Sequence, residues 1–317
     1  MKMIDPGPIP VYLITVWSSV LPNATFFQPT AMISSILFLY LPLICFSFNG
    51  FNNPASNGGS MLTTVPDTSP PGQQEPLNMI ISGNSGSDVL QDTTEGLRNY
   101  FFSLSFSGEC LGQHLGNHQQ VDLGDGKGSV NETAVMRYNY GNPDFGSCTQ
   151  SQKGGNHFRY WVQDGPSMNS GAVFMAVSYE KSQQEGHDIV ANGYNLGRDY
   201  VVGNITGSTI PTSSLTSSST FSGTTSFKGY TYSSTISYVS GLLPNTSQGI
   251  NHNFTVSAPN INAVDGLVAL VEVRTTNRPS NASTTDNKNS AMMPRSWLQT
   301  NLFVASFIVA SLCLREV

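Results

Sequence analysis

The stretch from Gly154 to Val202 holds the densest mixture of aromatic, β-branched and ionisable residues in the chain. Its apolar and polar positions predict two strands, Asn156–Val162 and Gly171–Tyr179, separated by a turn rich in Asp, Gly, Pro, Asn and Ser. Side chains of a strand point alternately to its two faces, so His157, Arg159 and Trp161 share one face and Asn156, Phe158 and Tyr160 the other. Upstream, Leu77–Ile81 reads as a short apolar strand followed by the loop Ser82–Gly86. From Ser87 to Phe106, the residues Val89, Leu90, Leu97, Phe101 and Leu104 recur at helical intervals. Glu132–Tyr140, Tyr230–Val239, Asn253–Ser257 and Leu267–Thr275 add strand patterns, and the last is apolar enough to be central. The expected fold is therefore α+β: one mixed, mainly antiparallel sheet with an N-terminal strand–helix unit and a Ser/Thr-rich insertion.

Polar stretches divide this pattern. Residues 51–75 are rich in Pro, Gly, Ser and Asn and read as a flexible linker. Residues 203–225 are nearly pure Ser, Thr and Gly and read as a mobile or O-glycosylated loop within a single domain at 76–278. Residues 1–50 form a hydrophobic leader, in which Val11–Leu21 is short and Met32–Phe48 has the make-up of an export signal. The better apolar run begins at Met32, so the reading is a cleaved signal whose true start is Met32; an uncleaved anchor is the alternative. Residues 279–300 are a polar spacer, and 301–317 carry the apolar run Leu302–Leu314. Small residues at Asn289-Ser290-Ala291 ahead of it fit a GPI attachment signal with Asn289 as the acceptor; a tail anchor or a closing helix is the alternative.

Composition supports an exported protein. Charged residues are only 11% of the 317, and the net charge of −6 leaves no basic footprint for nucleic acid. Of four cysteines, Cys45 and Cys313 fall in the terminal apolar runs, leaving Cys110 and Cys148 as a pair suited to a disulfide. Glycosylation sequons occur at Asn131, Asn204, Asn245, Asn253 and Asn281. The expected location is secreted or at the cell surface, GPI-anchored to the plasma membrane or cell wall.

Candidate chemistry gathers in the central stretch. A guanidinium and an imidazole beside an indole suit an anion or a sugar ring; the plainer alternative is Arg159 paired with a carboxylate such as Asp199. His187-Asp188 and Arg198-Asp199 bracket the loop Ile189–Gly197, so His157, Arg159, Trp161, His187, Arg198 and Asp199 form the ligand-binding candidates. His157 and His187 with a carboxylate could hold zinc, although no H-E-x-x-H spacing is present. No G-x-S-x-G elbow occurs; Ser82 and Ser85 are the serines nearest a glycine-rich loop.

At PLNMIISG, GGNHFRYW, GAVFMAVSYE, GHDIVANGYNLGRDY and NAVDGLVALVEV, the chain resembles a group of uncharacterised secreted proteins of mushroom-forming fungi across roughly 76–278. More remotely it is similar to the LssY-type C-terminal domain, in the order of an opening strand and helix, N-H-x-R-x-W, a G-x-x-x-x-A strand, a His–Ile pair and an Arg-Asp. The resemblance implies a fold and maps His157, Arg159, Trp161, His187, Arg198 and Asp199 onto that pattern; the Ser/Thr insertion and the two cysteines depart from it. The resulting expectation is a surface glycoprotein acting as a binding or structural module without a cofactor, toward a cell-wall glycan or a small anionic ligand. The alternative is an extracellular hydrolase, metal-dependent through zinc or of the Ser/His type.

Overall fold

The computed structural model describes residues 49–280 except Leu115. The leader through residue 48, Cys45, Asn281, Asn289, the run Leu302–Leu314 and Cys313 lie outside the described residues. Among the described residues, no helix is long and apolar enough to cross a membrane.

The fold is α+β, built on a mixed eight-stranded sheet. In chain order the elements are β1 (Met79–Ile81), α1 (Leu97–Ser103), β2 (Phe106–Gly108), β3 (Gln120–Asp122), β4 (Ser129–Asn131), β5 (Ala134–Tyr138), α2 (Gly146–Lys153), β6 (Gly155–Asp164), β7 (Asn169–Glu180), α3 (Gly193–Thr206), β8 (Thr220–Phe227), β9 (Tyr230–Thr246) and β10 (Val264–Asn277). The strand order is β2-β5-β6-β7-β1-β10-β9-β8, and β3 pairs with β4 in a separate ribbon. Only the β1–β10 pair is parallel within the large sheet; the others are antiparallel.

Both faces of the central strands are covered, which is why β7 is buried almost throughout rather than at alternate positions. On one face, Val173, Met175 and Val177 pack with Phe101 of α1 and with Val201, Val202 and Ile205 of α3. We call this the helical face. On the opposite face, Ala172, Phe174 and Ala176 pack with Phe51, Met61, Ile250 and Val256, all contributed by loops.

Residues 51–75 are a correction to the flexible linker expected from composition. Phe51 packs edge-on to Phe174 with ring centroids 6.0 Å apart, Met61 and Thr63 are buried, and the Thr63 N–H donates to the Glu75 carbonyl at 2.8 Å while the Glu75 N–H donates to Thr63 Oγ1 at 3.2 Å. Isolated apolar anchors hold this segment, and its Pro, Gly and Asn residues make the turns between them.

The Ser/Thr-rich segment 203–225 is likewise more ordered than expected. Helix α3 runs on to Thr206, and β8 pairs with β9 from Thr220↔Ser237 to Phe227↔Tyr230. Lys228 and Gly229 close that hairpin with positive φ at both positions (46° and 81°), the twist a two-residue turn needs.

Helix α1 is shorter than its apolar periodicity suggests, because Thr93 Oγ1 accepts the Gly96 N–H at 3.1 Å and Asp92 accepts the Arg98 Nε–H at 2.9 Å. Such local side-chain bonds favour turns over helix. Asn253–Ser257 is a turn that buries Val256, not a strand.

Candidate functional site

Strand alternation builds the site on the loop-covered face. His157 lies opposite Arg137 of β5 and Ser178 of β7 in register, and Glu180 lies opposite Gly155. This brings Arg137, His157, Arg159, Ser178 and Glu180 together, all buried. Two buried guanidinium groups demand carboxylates. Glu132, in the turn before β5, accepts from Arg159 Nη1 through Oε1 and from the Gln119 N–H through Oε2 at 2.8 Å. Glu180 Oε2 accepts from Gln150 Nε2 of α2 at 2.7 Å and from Arg137 Nη1 at 3.3 Å. Arg137 Nη2 also lies 3.7 Å from Glu109.

All five histidines of the chain meet carboxylates in this basin. His157 Nε2 and His187 Nε2 sit 3.5 and 3.4 Å from the two oxygens of Glu180. His252 pairs with Asp188 and stands 3.8 Å from Glu75. His114 Nδ1 is 2.8 Å from Glu109, and its ring stacks on His118 at 4.2 Å. His114 Nε2 and His118 Nδ1 then face the same oxygen of Glu132, at 3.7 and 3.4 Å. A cavity of about 250 Å³ opens beside His187, Asp188 and His252.

The electrostatics keep His157 neutral: burial pushes its pKa well below the usual imidazole value, and Arg137 and Arg159 push it further. Nε of Arg137, Nε of Arg159 and Nδ1 of His187 are buried and make no hydrogen bond among the described residues. The disulfide Cys110–Cys148 is formed. It fastens the loop carrying Glu109 and His114 to α2, the helix whose Gln150 holds both Arg137 and Glu180.

Among the described residues, one compact metal-type group stands out: the donor atoms of His114, His118 and Glu132 lie within 4.8 Å of one another. Tetrahedral zinc with bonds of about 2.0–2.1 Å spaces its donors by roughly 3.4 Å. The two histidine–glutamate separations are already near that edge length.

The six sequence candidates do not gather in one place. His157, Arg159 and His187 belong to the basin. Trp161 shares their face, but its Nε1–H donates to the Val130 carbonyl at 3.1 Å and its ring packs in the core. Arg198 and Asp199 are on α3, across the sheet on the helical face. Arg198 donates to both oxygens of Asp199 (2.7 and 3.1 Å), to both of Asp265 (2.8 Å each) and to the Leu267 carbonyl (2.8 Å). Burial pulls its pKa down, but the bonds from Asp265 and Asp199 outweigh this and raise it. Arg159 pairs with Glu132, not with Asp199.

Ser85 Oγ accepts the Val273 N–H at 3.1 Å, and the Ser82 hydroxyl donates to the Asn49 carbonyl at 3.0 Å; neither bonds a histidine. Asn131 and Asn245 are exposed, whereas Asn204 and Asn253 are half-buried.

Sequence reasoning missed Glu109, His114, His118, Glu132, Arg137 and Glu180. The H-x3-H spacing at His114 and His118, four residues after a cysteine, was the available signal. No protein-family model, no curated protein and no solved structure matches the chain.

Proposed function

We propose that the chain is an exported, surface-held binding domain whose histidine basin takes up a divalent transition-metal ion of the zinc class on His114, His118 and Glu132. One observation carries this reading: His114 holds one ring nitrogen against Glu109 and turns the other toward Glu132 Oε1, the same oxygen that Nδ1 of the stacked His118 faces. A carboxylate that fixes the far side of an imidazole sets its tautomer and strengthens it as a metal ligand. Charge favours a cation over the small anion expected from sequence. Five carboxylates (Glu75, Glu109, Glu132, Glu180, Asp188) stand among two guanidiniums (Arg137, Arg159), so carboxylates outnumber guanidiniums by three. Export is supported by the apolar leader, the sequons and the disulfide. The GPI tether and glycosylation belong to the same proposal.

The test is metal analysis with calorimetry on the purified chain at neutral pH. The expected result is one zinc per chain, lost in His118→Ala, a substitution at a side chain 55% exposed, with a thermal melt equal to the parent's as the check on its folding. Undiminished zinc in His118→Ala, or none in the parent, would overturn the proposal. A second reading, a zinc hydrolase, is favoured by the neutral, buried His157 beside two arginines, since two histidines and one glutamate leave a fourth metal position for water. Zinc-dependent cleavage of p-nitrophenyl acetate or phosphate, abolished in His118→Ala, separates the enzyme from the binding module.

A further inference from the structure

A different cavity lies on the helical face, where β6 begins and β7 ends. It measures about 220 Å³ and is lined by Tyr138, Tyr140, Tyr179 and Tyr200 with Asn156 and Asn204. Tyr140 and Tyr200 are 43% and 50% exposed, so large aromatic surfaces stand open to solvent at its rim. The rings pair around the opening: Tyr138 with Tyr140 at 5.0 Å, planes 66° apart, and Tyr179 with Tyr200 at 5.1 Å. Tyr140 is held by its hydroxyl, which donates to the Gly154 carbonyl at 2.8 Å. The hydroxyls of Tyr138, Tyr179 and Tyr200 make no hydrogen bond among the described residues. Burial raises the Tyr179 pKa, and Tyr140, Tyr200 and Tyr138 raise it further, as expected for phenols crowded about one space. Gly155 keeps that space clear: a Cβ there would come within 3.1 Å of the Tyr140 hydroxyl.

The wall holds a polar group without a partner. Asn156 is 4% exposed, and its Nδ2–H donates to the Gly197 carbonyl at 2.9 Å. Its Oδ1 is buried and unpaired. A buried acceptor without a donor is costly to leave unmade, so a ligand hydroxyl that reaches it gains what the free protein lacks. Tyrosine faces carry partial negative charge and attract the C–H face of a saturated ring, while phenol hydroxyls and side-chain amides bond its equatorial oxygens. Drug-sized ligands need pockets of roughly 300 Å³ or more, so this cavity suits something smaller. Asp and Glu are absent from its lining, which argues against a cationic guest needing charge balance.

The geometry points to a monosaccharide-binding site, taking one neutral pyranose unit of a glycan between Tyr200 and Tyr140 with a hydroxyl on Asn156 Oδ1. It lies across the sheet from the histidine basin and does not depend on metal. Asn204, in the sequon Asn204-Ile205-Thr206, lines the same cavity, so a glycan attached there would compete for it.

The experiment uses the full chain from a host that forms disulfides but attaches no N-glycan, with EDTA present. Methyl glycosides of glucose, mannose, galactose and N-acetylglucosamine are added in turn and followed by saturation-transfer NMR. Transfer is expected to the ring protons of at least one of the four. Tyr200→Ala should weaken that binding about tenfold and Tyr200→Phe leave it nearly unchanged, because stacking needs the ring and not its hydroxyl. Tyr200 is half-exposed, and a thermal melt equal to the parent's certifies that Tyr200→Ala is folded. No transfer to any of the four sugars, or equal transfer in Tyr200→Ala, overturns the assignment. Saturable binding of tetramethylammonium in place of the sugars also overturns it, since it would make the pocket a cation cage.

Discussion

Two buried ionic clusters flank the same sheet, and they are built differently. On the helical face, Arg198 spends its donors on Asp199, Asp265 and a carbonyl, Tyr238 donates a further bond to Asp199 at 2.7 Å, and the Tyr238 ring lies 5.1 Å from the guanidinium. Nothing in that cluster is left for a ligand; it pins α3 to β10. On the loop-covered face, Arg137 and Arg159 each keep an unpaired Nε, and the histidines of the rim are partly exposed. The same residue types are thus fully bonded on one side and partly unbonded on the other. Saturation of hydrogen bonds, more than the presence of charge, distinguishes them.

The comparison breaks most visibly at Arg198. Arg198→Ala should destabilise the protein by about 5 kcal/mol, the upper end for breaking a buried pair, because two carboxylates lose their partner. Urea unfolding measures it, and a loss below about 1 kcal/mol would mean that the cluster is not a fastener.

Next is the crosslink beneath the basin. Replacing Cys110 and Cys148 by serine opens a loop spanning 38 residues and should lower stability by about 4 kcal/mol in the chain-entropy account. Zinc affinity should fall with it, since Glu109 and His114 sit on the released loop; unaltered affinity would detach the loop from the metal reading.

The smallest effect is the pH dependence of His157. Its folded pKa lies below the unfolded value of about 6.5, so the unfolded chain binds the proton first. The stability that His157 contributes is therefore complete above the unfolded pKa and is lost as pH falls toward the folded one. The slope is at most about 1.4 kcal/mol per pH unit. Subtracting the melting curves of His157→Asn from those of the parent between pH 7 and 4.5 isolates this contribution, and parallel curves would show that His157 does not carry it.

What the sequence disclosed follows from which forces are local. Period-two alternation is local, so the shared face of His157, Arg159 and Trp161 and the β6–β7 pairing are legible in the sequence. Helix α3 was not, because Gly193, Gly197 and Gly203 and its β-branched residues argue against helix in isolation. Tertiary packing explains them: a Cβ at Gly197 would sit 2.6–3.0 Å from the Ser178 backbone, so glycine lets the helix lie directly on β7. The His114–His118–Glu132 group was hidden for a similar reason. Its members are brought together through the β3–β4 ribbon, whose pairing of Val121 with Val130 no local pattern announces. Nearness in sequence also misled. His187-Asp188 and Arg198-Asp199 look like one loop's two ends, yet the chain passes between them from one face of the sheet to the other.

The bond between Cys110 and Cys148 also sets a schedule. In a reducing cytosol both sulfurs stay as thiols, and the arm bearing Glu109 and His114 is not clasped to the helix beside it. On the proposed zinc reading, the group His114, His118 and Glu132 would be held in place only once oxidation has occurred, downstream of synthesis. A newly made chain carrying such a latch would pass the intracellular zinc pool without competing for it, and would ripen only where oxidising conditions close the clasp.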